Sequence, residues 1–247
     1  MKAVILAAGI ASRLRPLTNN TPKCLLKVGE KSILQLTLEN LLENNITQLV
    51  MVTGYLEQQI KDFIAANFPQ LQVTYIYNEV YDSTNNIYSL WLAKDVLLGD
   101  EMLLMDSDII FDSKIIGALL QSGYENCLAL KRHNVGDEEI KVKIDNKGCV
   151  LEISKIVPPA LAAGESIGIE KFGKEGLYKL FEAIDRKVVD EKMVNIFYEV
   201  AFEDMIKQGE EIFVVDTTDY VCMEIDTATD LNVAAEVLAY KAKMQKN

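Results

Sequence analysis

The chain has few of the residues that most often carry metal or nucleophilic chemistry. It contains one histidine, His133, and four scattered cysteines: Cys24, Cys127, Cys149 and Cys222. No two cysteines have C-x-x-C spacing, so the sequence predicts neither a zinc site nor a thiol redox centre. Scattered thiols are typical of a reducing compartment, and we expect a cytoplasmic protein. We interpret His133 as a surface or strand-end residue rather than a catalyst.

Two further absences exclude classes of partner. The sequence has no run of about 18 apolar residues, so we expect no transmembrane helix and no membrane partner. The apolar segment near the N-terminus is short and follows a single lysine, which predicts a buried strand rather than a signal peptide. The 37 acidic residues outnumber the 25 basic ones, for a net charge of −12. Because a nucleic-acid binder needs a basic surface, we expect no nucleic-acid partner.

The segment after this first strand has the features of a polyphosphate-binding loop. The apolar run 2–9 ends in Ala-Ala-Gly, and backbone N–H groups in such a turn can approach a phosphate closely. The spacing is neither G-x-G-x-x-G nor that of a P-loop. An ordinary buried strand followed by a solvated basic turn remains an alternative. Three cations add positive charge to the loop: Arg13, Arg15 and Lys23.

Strand-like and helix-like segments alternate through the first half, which is typical of βαβ units on a parallel sheet. The second half begins with a β-hairpin whose turn is Asp-Asn-Lys-Gly at 145–148. No linker or repeat interrupts the pattern, so we expect one α/β domain over 1–247. The expected strands are 4–8, 48–53, 72–77, 102–105, 126–132, 141–144, 149–153, 167–172, 212–215 and 221–225. The expected helices are 33–44, 57–67, 86–98, 114–121, 177–191, 196–208 and 231–243.

Two pairs of acidic residues at strand ends predict a metal site. Asp106 and Asp108 directly follow the strand 102–105, and Glu224 and Asp226 lie at the end of another strand. Ligands of doubly wound sheets bind outside the carboxyl ends of strands. Mg²⁺ is typically held there by one or two carboxylates together with substrate phosphates. Helix N-capping by either aspartate is the alternative.

The loop belongs to a longer pattern, Leu-Ala-Ala-Gly-x-x-Ser-Arg-Leu-x-Pro-Leu-Thr at 6–18, with Pro-Lys at 22–23. This pattern resembles the signature of the nucleotidyltransferase family, and the resemblance covers essentially the whole chain. It implies a Rossmann-like α/β fold with a doubly wound, mostly parallel mixed sheet and a small hairpin and helical part for the acceptor. Residues 1–133 would bind nucleotide, and residues 134–247 would bind the acceptor. The sequence departs from the family pattern at Ala11, where a second glycine is usual.

The resemblance also implies roles for single residues. Asp108 and Asp226 would hold Mg²⁺, and the catalytic cations would be Arg13, Lys23 and Lys155. Helix capping is the alternative role for the two asparagines at 85 and 86. The residues expected to bind the nucleotide are Leu6, Ala7, Ala8, Gly9, Ser12, Arg13, Lys23, Asn85, Asn86, Ser89 and Asp106.

The segment Asn-Asn-Ile-Tyr-Ser-Leu at 85–90 resembles one branch of the family, which transfers CMP to small alkylamine phosphates and phosphonates. A cationic head group needs carboxylates or aromatic faces around it. Glu139 is near a position where this branch has an aromatic wall. A carboxylate there suits a primary ammonium, which can donate hydrogen bonds. The residues assigned to the acceptor by this resemblance are Glu139, Lys155, Glu165, Tyr198, Glu199 and Glu224.

These assignments predict an enzyme that transfers CMP from CTP to a phosphocholine- or 2-aminoethylphosphonate-type acceptor and releases pyrophosphate. An ionised acceptor oxygen would attack the α-phosphorus in line without a general base, while Mg²⁺ and the catalytic cations neutralise charge. Two alternatives remain open. One is a sugar- or polyol-1-phosphate nucleotidyltransferase, for example for inositol 1-phosphate, and the other is a nucleotide-binding regulator without catalysis. The sequence also leaves open UTP as the donor and the oligomeric state, a homodimer included.

Overall fold

The computed structural model describes residues 1–244, and the last residues of the expected domain, 245–247, lie outside the described part. A π-helical turn, Arg186–Asp190, follows the helix that ends at Asp185. The strands are β1 Lys2–Ala7, β2 Lys27–Val28, β3 Lys31–Ser32, β4 Gln48–Thr53, β5 Gln72–Tyr77, β6 Met102–Asp106, β7 Ile109–Phe111, β8 Cys127–Lys131, β9 Lys141–Ile144, β10 Val150–Ser154, β11 Gly164–Phe172, β12 Phe213–Asp216 and β13 Cys222–Glu224. The α-helices are α1 Ile33–Glu43, α2 Glu57–Asn67, α3 Asn86–Leu92, α4 Lys94–Leu97, α5 Lys114–Gln121, α6 Lys174–Asp185, α7 Glu199–Lys207 and α8 Ala228–Met244.

Within the described residues, nine strands form one mixed sheet. Its continuous order is β10-β9-β11-β6-β1-β4-β5, and β8 pairs with both β11 and β12. The neighbours β6, β1, β4 and β5 are parallel, whereas β11 is antiparallel to β6, β8 and β9. Parallel pairing therefore dominates where helices connect the strands, and the second half adds antiparallel pairs. Strand β11 continues the sheet across the division expected at residue 133.

Helices cover both faces of this sheet. Successive side chains of a strand point to opposite sides, so each strand between them contributes to a core on either face. In β1, Ala3 and Ile5 belong to the core that includes α1, α2 and α5. Val4 and Leu6 belong to the opposite core, which includes α3, α6 and α7. Burial on both faces explains why β1 is a continuous apolar run, and it confirms the doubly wound arrangement. Among residues 1–244, no helix is long and apolar enough to cross a membrane.

Helix α1 illustrates how the sequence determines one of these elements. The Ser32 hydroxyl accepts a hydrogen bond from the Gln35 backbone N–H at 3.1 Å, which caps the first turn. Leu34, Leu38 and Leu41 recur at helical spacing and are all buried. The cap and the apolar stripe therefore agree on where the helix begins and which face it buries.

Three helices differ from the sequence prediction in ways that affect the second half. The helix expected over 86–98 is interrupted at Ala93, between α3 and α4. The helix expected over 177–191 begins earlier, at Lys174, and passes into the π-helical turn after Asp185. The helix expected from 196 begins three residues later, as α7, because the Tyr198 backbone N–H is bonded at 2.9 Å to the Asn86 side chain. This shift changes which side chains α7 directs into the molecule.

Candidate active site

The ends of several strands meet at one cavity of about 590 Å³. It lies at the carboxyl ends of β1, β6 and β8, which is where ligands bind in doubly wound sheets. Segments from both halves of the chain form its wall. These lining positions are 6–9, 11, 13, 22–24, 78, 81, 84–86, 89, 106–109, 131, 138–140, 155, 165–168, 197, 199, 222, 224 and 226.

The loop after β1 forms one side of the cavity, as the small-residue turn predicts. The residues at 6–9 and Arg13 line it, whereas Ser12 is exposed on the outer side of the loop. Ala11 has φ 52° and ψ 52°, a left-handed conformation, and its carbonyl accepts a hydrogen bond from the Thr18 hydroxyl at 2.9 Å. For a residue with a Cβ this conformation costs about 1–2 kcal/mol. The loop at Ala11 therefore adopts a left-handed conformation that glycine would adopt at lower cost.

Three carboxylates near the cavity mouth, Asp108, Glu224 and Asp226, form what we call the outer carboxylate group. One oxygen atom from each lies within 4.8 Å of the others. Strand β13 pairs with β7, and the Ile225 backbone N–H donates to the Asp108 carbonyl at 2.9 Å. This pairing brings together two aspartates from distant segments. The structure thus places Glu224, expected at the acceptor, beside the expected metal ligands.

Two cations neutralise part of this outer group. The Lys23 Nζ lies 2.7 Å from Asp108 Oδ2 and 2.9 Å from Asp226 Oδ1. The Arg13 Nη2 lies 2.8 Å from the same Asp226 oxygen. Burial by itself would lower the pKa of Lys23, but the two carboxylates outweigh it and raise that pKa. Lys23, expected to contact phosphate, is therefore bonded to the carboxylates expected to hold the metal.

The outer group has the chemistry that a hard divalent cation requires. Mg²⁺ prefers carboxylate oxygens, and Asp108 and Asp226 supply them at close range. The pKa of Glu224 is raised to about 7, first by partial desolvation of its carboxylate, although the residue is exposed, and then by Asp108 and Asp226. Negative charge is thus in excess here even with Lys23 in place, and a divalent cation would relieve it. These residues fit Mg²⁺.

Asp106, Glu170 and Glu199 form the inner carboxylate group, of which Asp106 and Glu199 line the cavity while Glu170 is buried behind the wall. The Tyr198 hydroxyl lies 3.3 Å from Asp106 Oδ2 and 3.4 Å from Glu170 Oε2. Burial is the main cause that raises the pKa of Asp106 and of Glu170, and neighbouring carboxylates add to it. No cation forms an ion pair with this group within residues 1–244. The inner group therefore holds acids whose charge is poorly compensated.

Glu199, like Asp106 but unlike Glu170, lines the cavity. It is 8% exposed, and its Oε2 atom is buried without a hydrogen-bond partner in the described part of the chain. Burial raises the pKa of Glu199 to about 7. Tyr198, expected to line the cavity beside it, is completely buried behind the wall, and Phe197 lines the cavity instead. The later start of α7 accounts for this exchange.

Gly168 allows strand β11 to approach the inner group closely. Its φ is +70°, and a Cβ on it would lie 2.6 Å from Asp106 Oδ2. The pairing of β11 with β8 shifts register between Ser166 and Glu170, around this glycine. Such a bulge re-aims the side chains beside it. The close approach of β11 to Asp106, which brings Glu170 near that residue, therefore requires glycine at position 168.

The asparagines at the start of α3 line the cavity and also have structural bonds. The Asn85 side chain accepts from the Asn86 backbone N–H at 2.8 Å, so it caps the helix. The Asn86 Oδ1 accepts from the Tyr198 N–H, which links α3 to the start of α7. The Ser89 hydroxyl accepts from the Asn78 amide at 3.1 Å. The expected nucleotide role of these residues stays a prediction, and the capping alternative holds for Asn85.

The other residues expected at the acceptor are Lys155, Glu165 and Glu139. Lys155 has its Nζ 3.4 Å from Glu138 Oε2 and 5.2 Å from the centre of the Phe197 ring. Glu165 is bonded to His133 Nε2 at 2.8 Å, which makes that histidine an exposed partner of the site. The Glu139 carboxylate accepts from the Gly136 N–H at 2.8 Å. Lys155, Glu165 and Glu139 all line the cavity.

Several residues in the cavity wall or behind it were absent from the sequence prediction. Lys131 ends β8 and lines the cavity, with its Nζ 3.0 Å from the Cys222 carbonyl. The rule that identified Asp106, a polar residue at the end of an apolar strand, could also have identified Lys131. Glu170 gave no such signal, because an acid inside an apolar strand is read as an exposed position. Phe197 was missed with the start of α7.

Comparisons with known proteins agree with this geometry. The family model described as nucleotidyl transferase matches residues 2–128. The chain is 28% identical to a choline-phosphate cytidylyltransferase of Streptococcus pneumoniae, over 96% of this chain and 98% of that protein. It is also 28% identical to a CTP:phosphoglutamine cytidylyltransferase of Campylobacter jejuni, over 96% of this chain and 100% of that protein.

A third relative and a solved structure extend the comparison. The CMP-5'-(3-aminopropyl)phosphonate synthase of Streptomyces rubellomurinus is 25% identical over 93% of this chain, which corresponds to 37% of that protein. The structure of CTP:phosphocholine cytidylyltransferase from Streptococcus pneumoniae matches with a TM-score of 0.80 and 26% identity, over 96% of this chain and 98% of that one. The chain is a transferase that belongs to the nucleotidyl transferase family.

Proposed function

We propose that this enzyme transfers CMP from CTP to a small phosphate or phosphonate that also carries an ammonium group, with release of pyrophosphate. The observation that carries the acceptor assignment is Glu199. It is a buried carboxylate with an unpartnered oxygen, and it lies in the same cavity as the loop and the outer carboxylate group. A buried anion of this kind gains most from a ligand that brings positive charge.

The nucleotide end is assigned to the loop after β1 and to the cations near it. Backbone N–H groups of a small-residue turn suit phosphate oxygens, and Arg13 and Lys23 supply positive charge beside them. The named activities of the relatives, all of which transfer a cytidylyl group or make a CMP conjugate, support CTP as the donor. Asp108 and Asp226 would hold Mg²⁺, which neutralises triphosphate charge and polarises the α-phosphoryl group when bound.

The chemistry at the acceptor needs charge and position rather than a base. An ionised phosphate or phosphonate oxygen forms the new bond to the α-phosphorus, while the bond to the bridging oxygen breaks and pyrophosphate leaves with its electron pair. Lys155 and Lys131, which line the cavity, would supply positive charge for the acceptor phosphate. Neutralising that anion lets it approach the triphosphate, so positioning and charge compensation account for the proposed reaction.

The inner carboxylate group favours a primary ammonium over a quaternary one. A primary ammonium has N–H donors for the free Glu199 oxygen, whereas a quaternary ammonium binds through aromatic faces. The aromatic lining consists of Tyr81 and Phe197 within the described residues, and Lys155 already lies over the Phe197 ring. We therefore place 2-aminoethylphosphonate-type acceptors ahead of phosphocholine.

Pyrophosphate release tests this proposal with a matrix of donors and acceptors. CTP, UTP, ATP and GTP are each combined with aminoethylphosphonate, phosphoethanolamine, phosphocholine, inositol 1-phosphate and glucose 1-phosphate. We expect the highest kcat/KM with CTP and a primary-amine acceptor. A preference for inositol or glucose 1-phosphate would replace the proposal by the polyol or sugar alternative. Nucleotide binding without turnover of any acceptor would favour a regulator.

A further inference from the structure

Lys141, in strand β9, is a buried lysine outside the cavity lining. The residue is 1% exposed to solvent. Its Nζ lies 2.9 Å from the carbonyl oxygen of Gly136, 3.3 Å from that of Asp137 and 3.4 Å from that of Glu139. Its three N–H donors therefore match three backbone acceptors from one short segment. The ammonium occupies the centre of a carbonyl nest.

A charged lysine is a costly way to fill a buried strand position. Desolvating an ammonium costs several kcal/mol, and apolar side chains often replace buried charges without loss of stability. In the described chain no carboxylate oxygen forms an ion pair with Lys141, so its charge is compensated by carbonyl dipoles. What the ammonium supplies that an apolar side chain cannot is a fixed conformation of the segment that it binds.

That segment, 136–140, is the part of the cavity wall nearest to Lys155. Its outer side contributes Glu138, Glu139 and Ile140 to the lining. Glu138 approaches the Lys155 ammonium, and the Glu139 carboxylate closes the turn by accepting from the Gly136 N–H. Lys141 binds the carbonyls of the same turn. Two charged side chains thus fix a segment that would otherwise be a solvated loop.

We propose that Lys141 is a positioning residue that holds segment 136–140 against the acceptor end of the cavity and so sets acceptor affinity without contacting substrate. The inference relies on the proposed function for the identity of the acceptor but not for the conformation of the segment. Loss of the ammonium frees three carbonyls and lets the segment move. The acceptor then has to order it on binding, and this cost appears as a higher KM.

The test compares Lys141→Met with Lys143→Met, which removes a lysine from the same strand that pairs with Glu152 instead. For Lys141→Met we expect the acceptor KM to rise about tenfold or more, with kcat and the KM for CTP within about twofold. For Lys143→Met all three constants should match the wild type. Hydrogen exchange of the amides in 136–140 should accelerate in Lys141→Met alone, and this readout requires no substrate.

Unchanged exchange in 136–140, or an equal loss of acceptor and CTP affinity, would overturn the proposal. A wild type that turns over no amino acceptor would contradict the proposed function, while hydrogen exchange would still decide the role of Lys141. If Lys141→Met does not fold, the wild type decides through amine acetylation followed by mass spectrometry. We then expect Lys141 to react at least tenfold more slowly than Lys143, and equal rates would disprove the carbonyl nest.

Discussion

The two carboxylate groups of the cavity differ in how their charge is compensated. The outer group is bonded to Lys23 and Arg13, and its oxygens are close enough to share a metal ion. The inner group has a tyrosine hydroxyl and a serine hydroxyl as its neighbours, and Glu199 has one oxygen without a partner. Asp106 and Glu199 of the inner group line the same cavity as the outer group, whereas Glu170 is buried behind the wall.

This contrast suggests which ligand each group is built to receive. Lys23 already neutralises two members of the outer group, so a metal ion that binds there would replace one cation by another. Within residues 1–244 the inner group forms no ion pair, and the charge of Lys155 offsets only part of the burial that raises the pKa of Glu199. Burial of acids without a compensating charge lowers the stability of the folded protein, and a binding role accounts for that loss. Under the proposed function, the two groups would separate a nucleotide–metal end from an ammonium end.

Removal of an outer carboxylate should have the largest effect on turnover among the variants that test the contrast between the two groups. Asp108→Asn and Asp226→Asn each remove a ligand charge and almost preserve shape. Because metal and phosphate charge must be balanced here, we expect turnover to fall by a factor of about a thousand or more at saturating substrates. Steady-state pyrophosphate release measures this loss, and circular dichroism checks that the variants fold.

Asp100→Asn is the matched control for that loss, since Asp100 pairs with Lys2 far from the cavity. It should retain wild-type turnover. Near-normal rates for both outer-group variants at saturating Mg²⁺ would show that the outer group does not hold the metal.

Lys23→Ala should cost less than loss of an outer carboxylate. Removal of one preorganised donor typically costs about 2.7–4 kcal/mol, or a hundred- to a thousand-fold in rate. Because Lys23 neutralises the carboxylates that fit Mg²⁺, its removal should also tighten Mg²⁺ binding in the absence of nucleotide. Titration calorimetry measures the affinity, and stopped assays measure the rate. A rate loss below tenfold together with unchanged Mg²⁺ affinity would make Lys23 an ordinary surface lysine.

Glu199→Gln tests the inner group and should have a smaller effect. A hydrogen bond to a charged group contributes about 1.5–3 kcal/mol, so the acceptor KM should rise about ten- to a hundred-fold. The KM for CTP should not change. In the wild type the acid must lose its proton to pair with an ammonium, so acceptor affinity should increase as pH rises through about 7. The variant should lack this increase.

Stability gives a second, substrate-free readout with its own sign. Because folding raises the pKa of Glu199 above its ordinary value, the folded state binds more protons and is stabilised at low pH. That stability is lost as pH rises from about 4.5 through about 7. Glu199→Gln should reduce the loss, whereas Glu182→Gln, at an exposed position of α6, should leave it unchanged. Identical pH profiles for all three proteins would remove Glu199 from the inner group's charge balance.

The sequence indicated all three carboxylates of the outer group and two of the inner one, Asp106 and Glu199, but not Glu170. Asp108 and Asp226 follow apolar strands, and the rule about strand ends depends only on local pattern. The loop after β1 is equally local. Glu170 and Tyr198, by contrast, are turned inward by tertiary packing: a bulge around Gly168 re-aims β11, and a bond from Asn86 fixes the start of α7. No periodicity in the sequence encodes these rotations.

Lys141 shows the same limit in another way. A lysine in an alternating strand next to a hairpin predicts a solvent-facing side chain, and Lys143 on β9 is the position that follows this rule. Lys141 is buried because the segment before it folds back and offers three carbonyls. Backbone acceptors have no sequence identity, so the pattern alone could not reveal the nest.

Ala11→Gly is expected to have the smallest effect, and it concerns the loop that forms the nucleotide end. Alanine in the left-handed conformation costs about 1–2 kcal/mol, and glycine has an entropic cost of about 0.5–1 kcal/mol. The balance predicts that Ala11→Gly stabilises the protein by at most about 1.5 kcal/mol, visible as a Tm increase of up to about 6 °C. The matched control is Ala8→Gly in the same loop, where the backbone φ is not positive. That variant should lower Tm, because glycine there adds its entropic cost and removes a buried methyl group. A similar decrease for both variants would mean that the left-handed turn at Ala11 is not the conformation of the loop in solution, and the nucleotide end would then be less preorganised than the outer group suggests.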